Sequence, residues 1–239
     1  MSGSLIKRGR ATMLVAAGAM VLSAAAAGGA QAAPAAEKCT IKRYTPATFV
    51  VGATDAERLF KVKTTGCTQK NWRVDLLVDD GAVVLATKAK PLITFMPAGL
   101  DNALAGSYQV LVTVKSTDDK VSKKKFNFSL LRRAGFGKTV NAGPEPTTEG
   151  SPLKIVGTLK RASWGENPSN VPYADRTVRV QFRAVGTKKF VNVKTVLTDA
   201  EGNVAATVTA VKSGFWRLRF AGNATTGAAE SAADGVAVN

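Results

Sequence analysis

The sequence predicts an all-β protein with two tandem immunoglobulin-like antiparallel β-sandwich domains that follow a cleaved signal peptide. Apolar and polar residues alternate with a period of two in segment after segment of both halves. These segments are short, lie about 8–12 residues apart and are separated by turn residues, which favours sandwiches over βαβ units. Neither half contains a convincing amphipathic helix pattern.

The N-terminus, residues 1–32, is predicted to be a signal peptide. Lys7, Arg8 and Arg10 precede an apolar, alanine-rich run from Ala11 to Ala27, and a small-x-small motif ends at Ala32. We expect cleavage near Ala32, a secreted (extracellular) mature chain and no stable membrane span in that chain. Loss of the leader lowers the formal net charge from +16 to +13.

The two cysteines, Cys39 and Cys67, are predicted to form one disulfide, because both lie in the mature chain and the expected compartment is oxidising. Such a bond contributes about 3.5 kcal/mol in the chain-entropy model. The alternative is a reactive or metal-binding thiol pair. The chain contains neither a His nor a second Cys pair to support that alternative.

A Pro- and Gly-rich break divides the mature chain. Residues 141–152 contain three Pro and two Gly and are predicted to be a linker. The first sandwich is expected at residues 37–140, with the Cys39–Cys67 disulfide, and the second at residues 153–239. Residues 37–140 carry 18 cations against 9 anions, whereas residues 141–239 carry 12 against 8, so most of the positive charge lies in the first domain.

The core-facing residues are predicted from the alternation, strand by strand. In the first domain they are Trp72, Val74, Leu76 and Val78; Tyr108, Val110, Val112 and Val114; and Phe126, Phe128 and Leu130. In the second they are Val178, Val180, Phe182 and Ala184; Val191, Val193 and Thr195; Val204, Ala206, Val208 and Ala210; and Trp216, Leu218 and Phe220. Asp118-Asp119 and the segment 199–203 are predicted turns, with Gly202 at positive φ.

Most familiar catalytic chemistry is excluded because the chain has no His. The acid pairs Asp79-Asp80 and Asp118-Asp119 are interpreted as solvated turns, since adjacent residues of a strand point to opposite faces. A polysaccharide hydrolase that uses carboxylates stays open as an alternative, and it requires two acids in one cleft. We expect a protein that is not an enzyme and takes no cofactor.

Basic strand faces form the main candidate site. They could bind a polyanion, such as an anionic wall polymer or extracellular nucleic acid. The competing interpretation is a solvated edge that prevents strand-to-strand aggregation. The candidate residues are Lys123, Lys124, Lys125, Arg132, Arg133, Arg179, Arg183, Arg217 and Arg219.

Two further candidates lie in loops of the second domain. Trp164 and Tyr173 fall in a long predicted loop, where they either bind a ligand or plug the end of the core. Asp199, Glu201 and Asn203 are weak candidates for a calcium site, because their oxygen ligands alternate. Their spacing departs from the calcium-loop pattern, so a hairpin turn is the preferred interpretation and no metal is expected.

An ordered series of segments in the second half resembles a group of secreted actinobacterial proteins with tandem immunoglobulin-like domains. The segments are 139–146, 157–164, 178–183, 193–196 and 214–222, and the resemblance covers the chain from about Phe136 onward. Some members carry the label calcium-binding protein, but no matching acidic site is seen here. The resemblance implies a non-catalytic binding or structural protein of the cell envelope or medium.

Overall fold

The computed structural model describes residues 39–54, 58–59, 61–67, 69–77, 83–88, 94–95, 100–116, 119–137, 140–165 and 169–239. They belong to one compact unit that begins at Glu37. The predicted leader and residues Val78, Asp79, Asp80 and Asp118 lie outside the described residues. Within the described ranges the regular elements are β-strands and one 3-10 turn, Asn102–Leu104, and the chain is an all-β protein built largely from antiparallel sheets.

The N-terminal half consists of one five-stranded sheet, in the order β2-β9-β8-β5-β6, and two two-stranded sheets, β1-β4 and β3-β7. Pairing is antiparallel except between β2 and β9. The strands are β1 Thr40–Thr45, β2 Thr48–Val51, β3 Arg58–Leu59, β4 Lys61–Thr65, β5 Gln69–Leu77, β6 Val83–Lys88, β7 Thr94–Phe95, β8 Gly106–Ser116 and β9 Val121–Arg132.

The C-terminal half consists of two five-stranded antiparallel sheets. Strand β12 pairs with β10, β11, β13 and β16, and the second sheet has the order β15-β14-β17-β18, with β19 also paired to β17. The strands are β10 Ala134–Phe136, β11 Asn141–Gly143, β12 Pro152–Ala162, β13 Asn170–Pro172, β14 Thr177–Ala184, β15 Val191–Leu197, β16 Asn203–Thr209, β17 Gly214–Phe220, β18 Ala229–Glu230 and β19 Asp234–Val236.

The predicted alternation places most of the core correctly. The buried residues include Val110, Val112, Val114, Phe128 and Leu130 in the N-terminal half, and Val178, Val180, Phe182, Val204, Ala206, Trp216, Leu218 and Phe220 in the C-terminal half. Strand β15 is one departure from the prediction, because Val191 and Val193 are 52% and 47% exposed. This strand pairs with β14 alone at the end of its sheet, so its side chains have little protein to cover them.

The linker predicted at residues 141–152 is incorporated into the sheets of the C-terminal half. Ala142 lies opposite Ile155 in the pairing of β11 with β12, and Ala142 itself is fully buried. Thr147 is also buried and bridges to Val238. The chain enters this half earlier than predicted, because Ala134 already pairs with Arg161.

Two hydrophobic clusters form the core, one in each half. The cluster of the N-terminal half contains two residues of the C-terminal half, Ala162 and Trp164. The two sandwiches therefore share packing at their junction. The predicted disulfide between Cys39 and Cys67 is present and joins the start of β1 to the segment that follows β4.

Candidate functional site

The lysine run on β9 divides between two faces of the sheet. Lys123 lies opposite Thr113 and Lys125 opposite Leu111, whereas Lys124 lies opposite the buried Val112. Lys123 and Lys125 therefore point away from the core, and Lys124 lies on the core side, where its Nζ is 5.3 Å from the Phe126 ring centroid. All three lysines are exposed, but they do not form a single face.

Arg132, which the sequence predicts as a polyanion-binding residue, is buried and not available at the surface. The residue is 6% exposed, and its Nε donates a hydrogen bond to the carbonyl oxygen of Ala162 at 2.6 Å. Its backbone N–H donates to the Thr225 carbonyl at 3.0 Å, and its own carbonyl accepts from Gly227. Arg132 thus connects the two halves, whereas the neighbouring Arg133 is exposed.

The arginines of β14 and β17 are mostly engaged with their own neighbours. Arg183 stacks over Phe215 at 4.3 Å and over Phe190 at 5.3 Å, and Arg217 lies 4.0 Å from the Phe190 ring centroid. Arg217 also pairs with Glu230 at 2.7 Å, and Nε of Arg219 lies 3.4 Å from the same carboxylate. We call Arg183, Phe190, Phe215, Arg217, Arg219 and Glu230 the arginine array.

A more concentrated basic surface lies on β1 and β4, where sequence reasoning did not place one. Lys42, Arg43, Lys61 and Lys63 are all exposed, and these two strands contain no acid. Arg43 lies directly opposite Lys63 in the antiparallel register. None of the four forms an ion pair within the described part of the chain. We call these four residues the basic ribbon.

The basic ribbon is anchored from its inner side. Ile41 and Tyr44 of β1 are buried, and the Tyr44 ring stacks on Phe126 of β9 at 5.6 Å between centroids. The Oγ of Ser122 donates to the Cys39 carbonyl at 2.8 Å. Lys124 lies between Ser122 and Phe126 along β9, so it adds a fifth exposed cation beside the ribbon.

Like charges that lie directly opposite each other on paired strands destabilise the pair. Arg43 and Lys63 occupy such positions without a compensating acid in either strand. Lysines that protect a sheet edge from aggregation can be scattered along it. Protection of an edge therefore does not explain why these two cations lie directly opposite each other. The sequence held one usable signal, namely basic residues in two strand-like segments without any acid, but the segments are separated along the chain and only their pairing unites them.

Trp164, for which the sequence left ligand binding and a plug of the core open, is part of the core. It is 1% exposed and belongs to the hydrophobic cluster of the N-terminal half. Its Nε1–H donates to the Val51 carbonyl at 3.1 Å, and its backbone N–H donates to Oδ1 of Asn102 at 2.9 Å. The indole anchors the loop after β12 to the other sandwich and is too buried to contact a ligand.

Tyr173, the other loop candidate, is 4% exposed and is the centre of a polar network. Its hydroxyl accepts from Nδ2 of Asn223 at 2.6 Å and shares a hydrogen bond with Thr226 at 3.1 Å. The guanidinium groups of Arg161 and Arg176 lie 4.4 and 4.9 Å from its ring centroid. Burial raises the pKa of Tyr173, but these hydrogen bonds and the two positive charges outweigh burial, so the pKa is lowered.

The calcium-like cluster Asp199, Glu201 and Asn203 forms a hairpin turn. Oδ1 of Asp199 accepts from the backbone N–H groups of Glu201 and Asn203, at 3.1 and 2.7 Å. Gly202 has a φ of 77°, as the turn requires, and an added Cβ there would collide with the Leu159 carbonyl. The described residues contain no group of three or more His, Cys, Asp or Glu side chains arranged to hold a metal ion.

One pair of carboxyl groups does converge, at residues that sequence reasoning did not single out. The carboxyl group of Glu145 lies near that of Asp234, and Oδ2 of Asp234 accepts from the backbone N–H of Ala142 at 2.8 Å. Burial, and then the charge and hydrogen bond of Asp234, raise the pKa of Glu145. A glycosidase needs its carboxyl groups about 5 Å apart or more, with the sugar between them, whereas these two groups are close enough for one to perturb the pKa of the other.

No helix in the described ranges has the length and apolar character needed to cross a membrane. No protein-family model matches the sequence, and no curated protein matches it.

Several solved structures are similar to this chain at a low level. The fibronectin(III)-like modules of CbhA from Clostridium thermocellum are 14% identical, over 84% of this chain and 93% of theirs, with a TM-score of 0.33. The D00–D0 domain of intimin is 12% identical, over 83% of this chain and 98% of its own, with a TM-score of 0.28. A superoxide reductase from Ignicoccus hospitalis is 20% identical over 42% of this chain and 80% of its own, with a TM-score of 0.31.

Proposed function

We propose that this chain is a secreted, non-catalytic binding protein that holds an acidic polymer at the cell envelope or in the medium. The basic ribbon is the observation that carries the proposal. It concentrates four exposed cations on two paired strands that contain no acid. The predicted signal peptide and the Cys39–Cys67 disulfide support a location outside the cytoplasm. Membership of the actinobacterial group remains a prediction.

The shape of the basic ribbon suits an extended polymer. Side chains on one face of a strand repeat about every 6.8 Å, and directly opposite residues of paired strands lie about 5 Å apart. Lys61 and Lys63 follow the first spacing, and Arg43 and Lys63 follow the second. A polyanion laid along the ribbon would relieve the repulsion between Arg43 and Lys63 and would release its own condensed counterions.

The anchoring of the basic ribbon supports binding with little reorganisation. Tyr44 is packed on Phe126, and the disulfide fixes the end of β1 at which the ribbon begins. A rigid arrangement of cations loses less conformational entropy on binding than cations on a mobile tail. The arginine array provides no comparable surface, because Arg217 and Arg219 are already paired with Glu230.

The test is titration of the mature protein with heparin and with double-stranded DNA over a range of salt concentrations. The variant replaces Lys42, Arg43, Lys61 and Lys63 by Gln. The matched control replaces four exposed lysines of the C-terminal half by Gln, so both proteins lose the same net charge. The control residues are Lys154, Lys188, Lys189 and Lys212.

We expect the wild type to bind with an affinity that falls linearly with salt on logarithmic axes. The ribbon variant should lose affinity by at least about tenfold and show a shallower salt slope, whereas the control should stay close to the wild type. An equal loss in both variants would show that net charge alone governs binding and would reject the ribbon. Absence of binding at low salt would reject polyanion binding altogether.

A further inference from the structure

A concave notch of about 330 Å³ lies where β14 begins and β17 ends, on strands that are separate from the basic ribbon. One wall consists of Asp175, Arg176, Thr177 and Arg179, and residues 220–223 form the other. Its volume is close to the smallest that protein ligand sites show, about 300 Å³. The notch is therefore large enough for one small group, rather than for a polymer.

Arg176 is held in place at this notch before any ligand arrives. Its guanidinium stacks on the buried Tyr173 ring at 4.9 Å, and its Nε donates to the Ala174 carbonyl at 2.8 Å. Its backbone N–H donates to Oγ1 of Thr198 at 2.9 Å. Since Nε is used, the two terminal nitrogens are the donors left for a ligand, and their planar arrangement matches an oxyanion.

The charge around the notch is positive. Arg179 is exposed and lies directly opposite Arg219, while Arg161 lies on the same Tyr173 ring as Arg176. Nε of Arg161 is buried and has no hydrogen-bond partner within the described residues. Asp175 is the acid on the notch wall, and it forms no ion pair in the described part of the chain. An anion in the notch would face at least two guanidinium groups for one carboxylate.

We propose that this notch binds a single oxyanion group, carried on a small ligand or at the end of a chain, between Arg176 and Arg179. The candidate ligands share a group in which two or more oxygen atoms carry the negative charge between them, as in a carboxylate, a sulfate or a phosphate monoester. Arg176 supplies the pre-oriented donors and Arg179 supplies a second charge. This site does not depend on the basic ribbon, so the protein would hold acidic ligands at two separate places.

The test follows backbone amide signals of the ¹⁵N-labelled mature protein during titration with sulfate, against chloride at the same ionic strength. We expect saturable shifts at Thr177, Arg179 and Gly222, with a dissociation constant in the millimolar range. Arg179→Gln should weaken binding about tenfold, because the anion loses its interaction with the second charged group. Asp175→Asn should strengthen binding, because it removes the opposing charge, and Lys212→Gln is the matched control that should change nothing.

Arg176→Gln should abolish the shifts, but Arg176 also makes contacts within the fold. Arg179→Gln is the second variant because its side chain is exposed, so its loss should leave the fold intact. Parallel titrations with glucuronate and with glucose 6-phosphate show which oxyanion is preferred. The proposal would be overturned by shifts that are equally large in chloride, by shifts that do not saturate with sulfate, or by shifts that are unchanged in Arg179→Gln. The Gln variant of the basic ribbon must keep sulfate binding at the notch, so failure of one site does not imply failure of the other.

Discussion

The basic ribbon and the arginine array show two opposite uses of cations on β-strands. In the array, Arg217 contacts the Phe190 ring and the Glu230 carboxylate, so its charge is already compensated within the fold. In the ribbon, Arg43 faces Lys63 and has no acid beside it in either strand. The number of cations on a strand face therefore says little about binding, because partners within the fold decide which cations are available.

Arg132 is the extreme case of an engaged cation, and its replacement should have the largest effect on stability. Arg132→Met leaves the buried carbonyl of Ala162 without its 2.6 Å donor and removes a contact between the two halves. We expect a loss of about 3 kcal/mol in the free energy of unfolding, measured by urea denaturation. Lys123→Met, on the same strand but exposed, should change the free energy by less than about 0.5 kcal/mol. Equal losses in the two variants would contradict this distinction.

A direct comparison of Arg217→Gln with Arg43→Gln tests the difference between the array and the ribbon. The first change removes a stacked contact at 4.0 Å and an ion pair at 2.7 Å, and should lower the free energy of unfolding by about 1 kcal/mol. The second removes repulsion from Lys63 and should leave stability unchanged or slightly raised. Thermal denaturation of both variants at the same salt concentration measures the difference. The opposite order would show that Arg43 has a structural role.

Glu145 and Asp234 are a pair of like charges, as Arg43 and Lys63 are. They differ in that a carboxyl group can take up a proton and so lose its charge. The folded-state pKa of Glu145 is raised above its usual value of 4.5, so the folded protein favours the protonated carboxyl group. The stability that comes from this preference is present below pH 4.5 and is lost as the pH rises through the folded-state pKa. The melting temperature of the wild type should therefore fall slightly relative to that of Glu145→Gln as pH is raised from 4.5. The effect is small, since Glu145 is exposed. Parallel pH curves for the two proteins would contradict it.

Sequence reasoning succeeded where a property is local. Alternation identified the buried faces of β8, β14, β16 and β17, because a strand has a side-chain period of two wherever one face is covered. It failed at β15, where Val191 and Val193 alternate as if one face were covered but lie exposed at the end of the sheet. It left Trp164 undecided between a ligand site and a plug of the core, since nothing local to this loop indicates that the indole packs in the core of the other sandwich.

The sequence by itself determined the all-β class, the Cys39–Cys67 disulfide and the turn at residues 199–203, because each depends on residue types and on short spacings. Only the tertiary structure decided which cations are available for binding. Pairing of β1 with β4 brought Lys42, Arg43, Lys61 and Lys63 together, and packing at the junction buried Arg132. Availability of a charge depends on neighbours that are distant in sequence, and the fold is what selects those neighbours.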